Sequence, residues 1–251
     1  MIAMIFAAGM GTRLRPLTDR MPKALVPIAG KPLLQWQIEK LREAGLTRIV
    51  INIHHKAEQI VQFVEQHNGL GCNISFSDER DELLETGGGL MKAMQDFSNL
   101  SMEPWLALNA DILSNLCLDQ FIGSYQGDLA RLVVSPRATK RYLVFDNDMT
   151  LRGWTNRETG ALRPAELDLT GTQLLAFSGM QIVSPQVMTY MQQMPERRFS
   201  LIDLYLHIIA RKAMVTGYVP NDYQMMDVGK IDQLTEVEQW AEQWIATPKQ
   251  E

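Results

Sequence analysis

The sequence has only two cysteines, Cys72 and Cys117. That is too few for a disulfide framework, and they form no C-x-x-C pair. Their scarcity fits a reducing compartment. No stretch of about eighteen apolar residues occurs, so no membrane-spanning helix is expected. The apolar start, Met1 to Ala8, has no basic region before it and runs straight into a glycine-containing loop. A signal peptide is therefore not expected, and the reading is a cytoplasmic protein. Positive charge is not in excess: Lys plus Arg is 24 against 29 Asp plus Glu, a formal net charge of −5. This balance excludes a protein whose main task is coating nucleic acid. With 17 Gly and 11 Pro in 251 residues, the chain is neither collagen-like nor of low complexity. Two phosphate-loop strings are also missing. There is no G-x-x-x-x-G-K-[ST], and the G-x-G after the first apolar run has Leu14 in place of the third glycine of G-x-G-x-x-G. No acidic residue closes the second strand, where Ile53 leads into His54 and His55.

What is present is an ordinary globular composition, 46% hydrophobic and 21% charged, in a chain long enough to bury a substantial core. Short apolar runs alternate with helical patterns in the first half. Ile2 to Phe6 and Arg48 to Ile53 read as strands. Leu34, Ile38 and Leu41, and then Ile60, Phe63, Val64 and His67, recur at helical spacing. Ile74 and Phe76 mark another strand. Gly87, Gly88 and Gly89 precede a helix expected over Leu90 to Phe97. Trp105 to Leu108 is a buried strand ending in Asn109-Ala110-Asp111. This β-loop-α repetition predicts a parallel sheet with helices on both faces. After Leu129 the texture changes. Leu132 to Ser135 is a strand, and Tyr142 to Phe145 with Met149 to Trp154 forms a hairpin. Gly153 to Thr172 reads as a polar loop covering the sheet. Leu174 to Phe177 and Met180 to Val183 read as two strands around Gly179. Ser200 and Asp203 begin a helix over Leu201 to Lys212 in capping-box fashion. Val215 to Val219 and Tyr223 to Asp227 read as strands. Leu234, Val237, Ala241 and Trp244 line the last amphipathic helix. No internal repeat or long linker divides the chain, which predicts a single domain over 1–251.

The most informative stretch is Ala7-Ala8-Gly9-Met10-Gly11-Thr12-Arg13-Leu14-Arg15-Pro16-Leu17-Thr18, followed by Met21-Pro22-Lys23. Glycines let the backbone approach a phosphate, and successive N–H groups can form an anion nest. The loop brings its own cations, Arg13, Arg15 and Lys23, which suits a substrate with several phosphates. The alternative is an ordinary β-α turn with solvated arginines. Asp111, just past a buried strand, stands where α/β sheets place ligands. It could hold Mg²⁺, a hard cation that prefers oxygen, or merely cap a helix. Asp227 ends a late strand in the same way. Two carboxylates at distant strand ends, beside a cationic glycine loop, favour a metal-phosphate site. His54-His55 lacks His or Cys neighbours in sequence and reads as loop rather than metal site. Met188, Met191 and Met194 at helical spacing, and Trp36 and Trp240, read as packing. Lys92 reads as a partner for a carboxylate, and Glu82 and Glu85 as a charged surface beside Arg80.

The string G-x-G-T-R-L-x-P-L-T, then P-K, resembles the signature of the sugar-phosphate nucleotidyltransferases, or NDP-sugar pyrophosphorylases. Glu85-Thr86-Gly87-Gly88-Gly89, Asn109-Ala110-Asp111, Phe177-Ser178-Gly179 and Met226-Asp227-Val228-Gly229 resemble later segments of that family. The likeness spans nearly the whole chain. It is strongest to the N-acetylmuramate-1-phosphate uridylyltransferases and the short mannose-1-phosphate guanylyltransferase-like proteins, without the β-helix tail of longer members. The resemblance implies a three-layer α/β/α, Rossmann-like fold with a mixed, mostly parallel sheet. Residues 1–115 would hold the nucleotide; residues 116–251 would shape the sugar pocket and supply the C-terminal helix. It implies attack of a sugar 1-phosphate on the α-phosphorus of a nucleoside triphosphate, with UTP favoured over GTP, and release of pyrophosphate. By the same resemblance Asp111 and Asp227 bind Mg²⁺, and Arg13 and Lys23 are catalytic, Lys23 also contacting the sugar phosphate. Ala8, Gly9, Gly11, Thr12, Arg13, Thr86, Gly87 and Asn109 contact the nucleotide, and Asn156 and Gly179 the sugar. Many larger members carry an E-K pair between the N-x-D and F-x-G segments, and this chain has none. The expected assembly is a monomer or small homo-oligomer, with no nucleic-acid or membrane partner. Rival readings are a small-molecule kinase, disfavoured by the missing Walker string, and a silent nucleotide sensor, which predicts loss of Arg13, Lys23, Asp111 or Asp227.

Overall fold

The computed structural model describes residues 1–97, 102–229 and 231–246, the side chains of 243–246 excepted. In chain order the elements begin with β1 (Ile2–Phe6), β2 (Pro27–Ile28), β3 (Lys31–Pro32), α1 (Leu33–Glu43), β4 (Arg48–Ile53), α2 (Ala57–Gln66) and β5 (Asn73–Asp78). Next come α3 (Glu85–Asp96), β6 (Trp105–Asn109), β7 (Ile112–Ser114), α4 (Leu118–Gly123), β8 (Ala130–Ser135), β9 (Arg141–Phe145), β10 (Leu151–Asn156), β11 (Ala161–Arg163) and β12 (Gln173–Val183). The last are α5 (Met188–Met191), α6 (Leu201–Ala210), β13 (Val215–Tyr218), β14 (Met225–Asp227) and α7 (Leu234–Ala246). Short 3₁₀ turns, Thr12–Leu14, Leu17–Asp19 and Lys23–Leu25, fill the long connection after β1.

The elements fall into two units. One comprises Ile2–Leu83, Leu108–Leu116 and the chain from Gln224 onward. Here β1, β4 and β5 pair in parallel, Ala3 opposite Ile49 and Ile49 opposite Ile74. Strands buried on both faces need apolar residues at every position, and Ile2, Ala3, Met4 and Ile5 are all fully buried. The end of β6 lies beside β1, and the Ala110 amide donates to the Phe6 carbonyl at 3.1 Å. The helical spacing in α1 buries Leu34, Ile38 and Leu41. Two polar residues of the same helix reach β7. Gln37 donates to the Ile112 carbonyl (2.7 Å) and Lys40 to the Ser114 carbonyl (2.6 Å). β7 pairs antiparallel with β14, Ile112 opposite Asp227. A second core gathers Leu14, Val26, Ile28, Leu33, Leu113, Val228, Val237 and Ala241. Each of its Leu, Ile and Val side chains contributes about 1.5–3 kcal/mol by burial. The C-terminal helix, assigned to the second half of the sequence, therefore packs with the first, because β14 and α7 are needed to cover this cluster. Trp244, placed on the same helix face, lies outside the described side chains.

The other unit comprises Leu84–Ala107 and Cys117–Tyr223, with Met1. Its sheet runs β11-β10-β9-β12, with β12 next to the start of β6. β8 pairs antiparallel with β12, and β13 parallel with β8. The sheet is thus mixed, with helices packed on it, as a Rossmann-like α/β fold requires. Ser200 and Asp203 complete a reciprocal capping box on α6, which ends at Ala210 rather than Lys212. Three expectations need correction. Gly153 to Thr172 is not one loop, because β10 extends to Asn156 and β11 returns against it, Thr155 opposite Leu162. The two strands around Gly179 are one strand, β12, whose register shifts between Phe177 and Gln181. Gly179 sits in that irregularity with φ +69°, a conformation open to glycine. The helical methionine run stops early, since α5 ends at Met191.

Candidate active site

The glycine-rich connection after β1 is held from below. Leu14 is fully buried in the second core and pulls the Thr12–Leu14 turn onto it. The Gly11 carbonyl accepts from the Leu14 amide (2.9 Å) and the Thr18 hydroxyl (2.9 Å). Gly11 has φ +62°, and a Cβ there would stand 2.8 Å from Thr18 Cγ2 and 2.9 Å from Lys23 Cβ. Only glycine fits. Gly9 is different. A Cβ on it would meet nothing within 4 Å, and Gly9, Thr12 and Arg13 are exposed. The open side of the loop is where a ligand can approach the backbone.

Cations and carboxylates meet at this loop. Lys23, 12% exposed, donates from Nζ to Oδ2 of Asp111, 24% exposed. The Val228 amide donates to the Asp111 carbonyl at 2.9 Å. Asp227 is one residue away on β14, and its Oδ1 and the Arg13 guanidinium both lie close to Gly229, 3.0 and 3.3 Å from the point a Cβ would occupy. Arg13, Lys23, Asp111 and Asp227 are thus gathered by the β7–β14 ladder. Asn109 closes β6 two residues before Asp111. Arg15 is turned elsewhere, in an exposed pair with Asp19 at 3.3 Å. Asp111 and Asp227 offer oxygen donors only. That set fits a hard divalent cation taking its remaining ligands from water and phosphate. Among the described residues no three His, Cys, Asp or Glu side chains converge.

Two residues escaped sequence reasoning. Asn52, 2% exposed at the end of β4, accepts from the amides of Ala7 (2.7 Å) and Ala8 (3.3 Å). Its Nδ2 donates to Oε1 of Glu79 (2.7 Å), also 2% exposed. A polar residue amid Ile51 and Ile53 was the only available signal. The Ala8 amide is thus already bonded to Asn52.

In the other unit the glycine segment is corrected. Gly87, Gly88 and Gly89 lie inside α3, not before it. The amides of Gly87 and Gly88 both donate to the Phe199 carbonyl, at 2.9 and 3.1 Å. A Cβ on Gly87 would fall 2.4 Å from the Phe199 ring, and one on Gly88 2.3 Å from the Arg197 carbonyl oxygen. These glycines admit the 197–199 segment. Thr86 Oγ1 accepts from the Leu201 amide at 3.1 Å. Glu85 has φ +61° and an ion pair with Arg198 (3.3 Å). Arg80, beside Glu82 and Glu85 in sequence, pairs with Asp78 and Glu58 instead. Lys92 pairs with Asp96. Asn156 Oδ1 accepts from the Glu158 amide (2.9 Å). One cavity of this unit, about 990 Å³, is lined by Leu151, Leu162, Arg163, Leu206, Ile209 and Met214 among others, and by none of the sequence-assigned residues.

The family described as nucleotidyl transferase matches residues 2–141. Over 116 residues the chain is 43% identical to N-acetylmuramate alpha-1-phosphate uridylyltransferase of Neisseria meningitidis serogroup B, covering 46% of this chain and 49% of that protein. The chain therefore spans about half the length of that relative. It is 29% identical over 235 residues to the protein of the same name from Caulobacter vibrioides, covering 89% of this chain and 90% of the other. The fold is shared with HddC from Yersinia pseudotuberculosis, crystallised with GMP-PN, at TM-score 0.74 and 23% identity over 95% of this chain and 98% of that one.

Proposed function

Because this chain belongs to the nucleotidyl transferase family, we propose that it is a sugar-1-phosphate uridylyltransferase, joining UTP to an N-acetylmuramate 1-phosphate-like sugar with release of pyrophosphate. The observation that carries this reading is the meeting of Arg13, Lys23, Asp111 and Asp227 at one open glycine loop. The preference for uracil and for an amino-sugar acid leans on the names of the Neisseria and Caulobacter relatives.

In this reading the exposed backbone from Gly9 to Thr12 cradles the triphosphate, and Arg13 faces the departing pyrophosphate. Lys23 holds the α-phosphate or the incoming sugar phosphate. Positioning and charge neutralisation are most of the catalysis in such a displacement. A protein of net charge −5 must concentrate cations where about four triphosphate charges and nearly two sugar-phosphate charges meet. Asp111 and Asp227 would hold Mg²⁺, which when bound neutralises phosphate oxygens. Lys23, paired with Asp111, is in reach of the same oxygens. Asn109, Gly179 and Asn156 remain assigned to ribose and sugar by resemblance. The bonding of Thr86 and Gly87 to the 199–201 segment makes their part in base recognition indirect, through the backbone they support.

The test is pyrophosphate release from UTP, GTP, dTTP, CTP and ATP against a panel of sugar 1-phosphates, with and without EDTA. Fastest turnover with UTP and N-acetylmuramate 1-phosphate, lost in chelator, is expected. Preference for GTP with mannose 1-phosphate would replace the uridylyl reading. Release of ADP would replace transfer with a kinase reaction.

A further inference from the structure

We propose that the Asn52 carboxamide, oriented by the buried Glu79 carboxylate, is the positioning group that fixes the entrance of the phosphate loop. This rests on the reading of Gly9 to Thr12 as the phosphate-contacting backbone.

β1 ends at Phe6, so the amides of Ala7 and Ala8 leave the strand on residues that are only 5% and 4% exposed. Buried amides need acceptors. Both find the same one, Asn52 Oδ1, at 2.7 and 3.3 Å. Asn52 stands opposite Phe6 in the parallel pairing of β1 with β4, which brings its side chain to the level where the chain departs. A carboxamide has an accepting and a donating end, and reversed it would set an NH₂ against two N–H groups. Glu79 prevents this by accepting from Nδ2 at 2.7 Å. Its own backbone is tied, the Glu79 amide donating to the Ile53 carbonyl at 2.8 Å. The result is a chain of bonds from the end of β5, through β4, to the residue before Gly9.

An apolar residue at position 52 would bury as well as its neighbours but strand two amides. Polar groups are kept in such a layer only when fully bonded. What the arrangement secures is the path of the chain into Gly9. A displacement of about 1 Å in a positioned group can cost on the order of 10²-fold in rate. Asn52 and Glu79 touch no phosphate in this scheme and act through the loop they anchor.

The test combines kinetics with amide hydrogen exchange on the whole chain. In Asn52→Ala, exchange at Ala7 and Ala8 should accelerate roughly ten-fold or more. The kcat/KM for UTP should fall on the order of 10²-fold, while the KM for the sugar phosphate stays within about two-fold. Glu79→Ala should reproduce much of this loss. Glu79→Gln, whose Oε1 still accepts from Asn52, should restore it, and Asn52→Ala with Glu79→Ala should be no worse than Asn52→Ala alone. Should Asn52→Ala fail to fold, the Glu79→Ala and Glu79→Gln pair carries the same comparison. Unchanged exchange at Ala7 and Ala8, unchanged UTP kinetics in a folded variant, or Glu79→Gln as damaging as Glu79→Ala would each overturn the proposal. If the unaltered protein releases pyrophosphate with no substrate pair, the proposed function fails, and the exchange rates alone still decide whether Asn52 anchors the loop.

Discussion

Lys23 and Asp111, 88 residues apart in sequence, are joined by a hydrogen-bonded ion pair. It ties the glycine loop after β1 to the turn after β6. A cation assigned to phosphate and a carboxylate assigned to metal therefore neutralise each other, and a substrate carrying both phosphate and metal can exchange partners with each.

Asp111→Asn and Asp227→Asn should each lower pyrophosphate release on the order of 10²-fold or more, since Asn keeps the shape and loses the charge. Thermal melting should move by only a few degrees, because neither carboxylate lies in a core. An Asp111→Asn protein that is unfolded by circular dichroism would return Asp111 to a structural role.

Arg13→Ala and Lys23→Ala should cost kcat more than they disturb base preference. Charge grows on the leaving pyrophosphate, so a cation aimed there acts mostly in the transition state. Loss on the order of 10²-fold is expected for each, with the ranking of UTP over GTP preserved. Steady-state kinetics with both triphosphates checks this, and a reversed ranking would show the phosphate site to be misplaced.

The two loop glycines should separate stability from activity. Gly11→Ala forces a side chain into φ +62° and against Thr18 and Lys23, at a cost of about 1–3 kcal/mol. Its melting temperature should drop by several degrees, at about 2–4 °C per kcal/mol. Gly9→Ala meets no protein atom and should melt like the parent, yet lose turnover because the methyl occupies the face offered to phosphate. Differential scanning calorimetry beside the activity assay distinguishes the pair.

Asp203 supplies a pH dependence. Burial alone would raise its pKa, but bonds from Ser200 and the Arg163 guanidinium outweigh it and hold the carboxyl below the usual range. Its folded value being lower than its unfolded one, the stabilisation is present above the unfolded value of about 3.9 and is lost as pH falls through the folded value. Asp203→Ala, which removes half of the α6 capping box, should cost about 1 kcal/mol at pH 7. The difference should shrink as pH falls through the folded value. Urea unfolding at pH 7 and in acid measures it.

What could be read from sequence were features whose cause is local. Continuous apolar and β-branched runs gave β1 and β4, and period-3.6 spacing gave α1 and α2. Ser200 with Asp203 gave the cap of α6, and Lys92 with Asp96 is an i,i+4 pair. Asp111 was visible because a carboxylate at a strand end is informative in any α/β chain. What stayed hidden depends on partners far along the chain. The glycines of α3 look like a loop leading into a helix until Phe199 is known to press on Gly87. Asn52 looks like an accident in a run of isoleucines until the Ala7 and Ala8 amides are seen to need it. The Gly153 to Thr172 segment is polar enough to pass for loop because β11 is short and its outward residues, Ala161 and Arg163, are exposed.

The chain changes unit between Leu83 and Leu84, Ala107 and Leu108, Leu116 and Cys117, and Tyr223 and Gln224. During synthesis this order has a consequence. The cluster around Leu14, Ile28 and Leu113 is finished only when Val228, Val237 and Ala241 arrive, after all of the other unit has been made. Asp227 arrives with them. A nascent chain that stops before Gln224 should therefore carry the loop cations and Asp111 but expose the apolar underside of that loop. Such intermediates are the ones that invite chaperone capture. Catalytic competence and burial of that underside should then appear together, as a single late event, when the nascent chain is released at successive lengths.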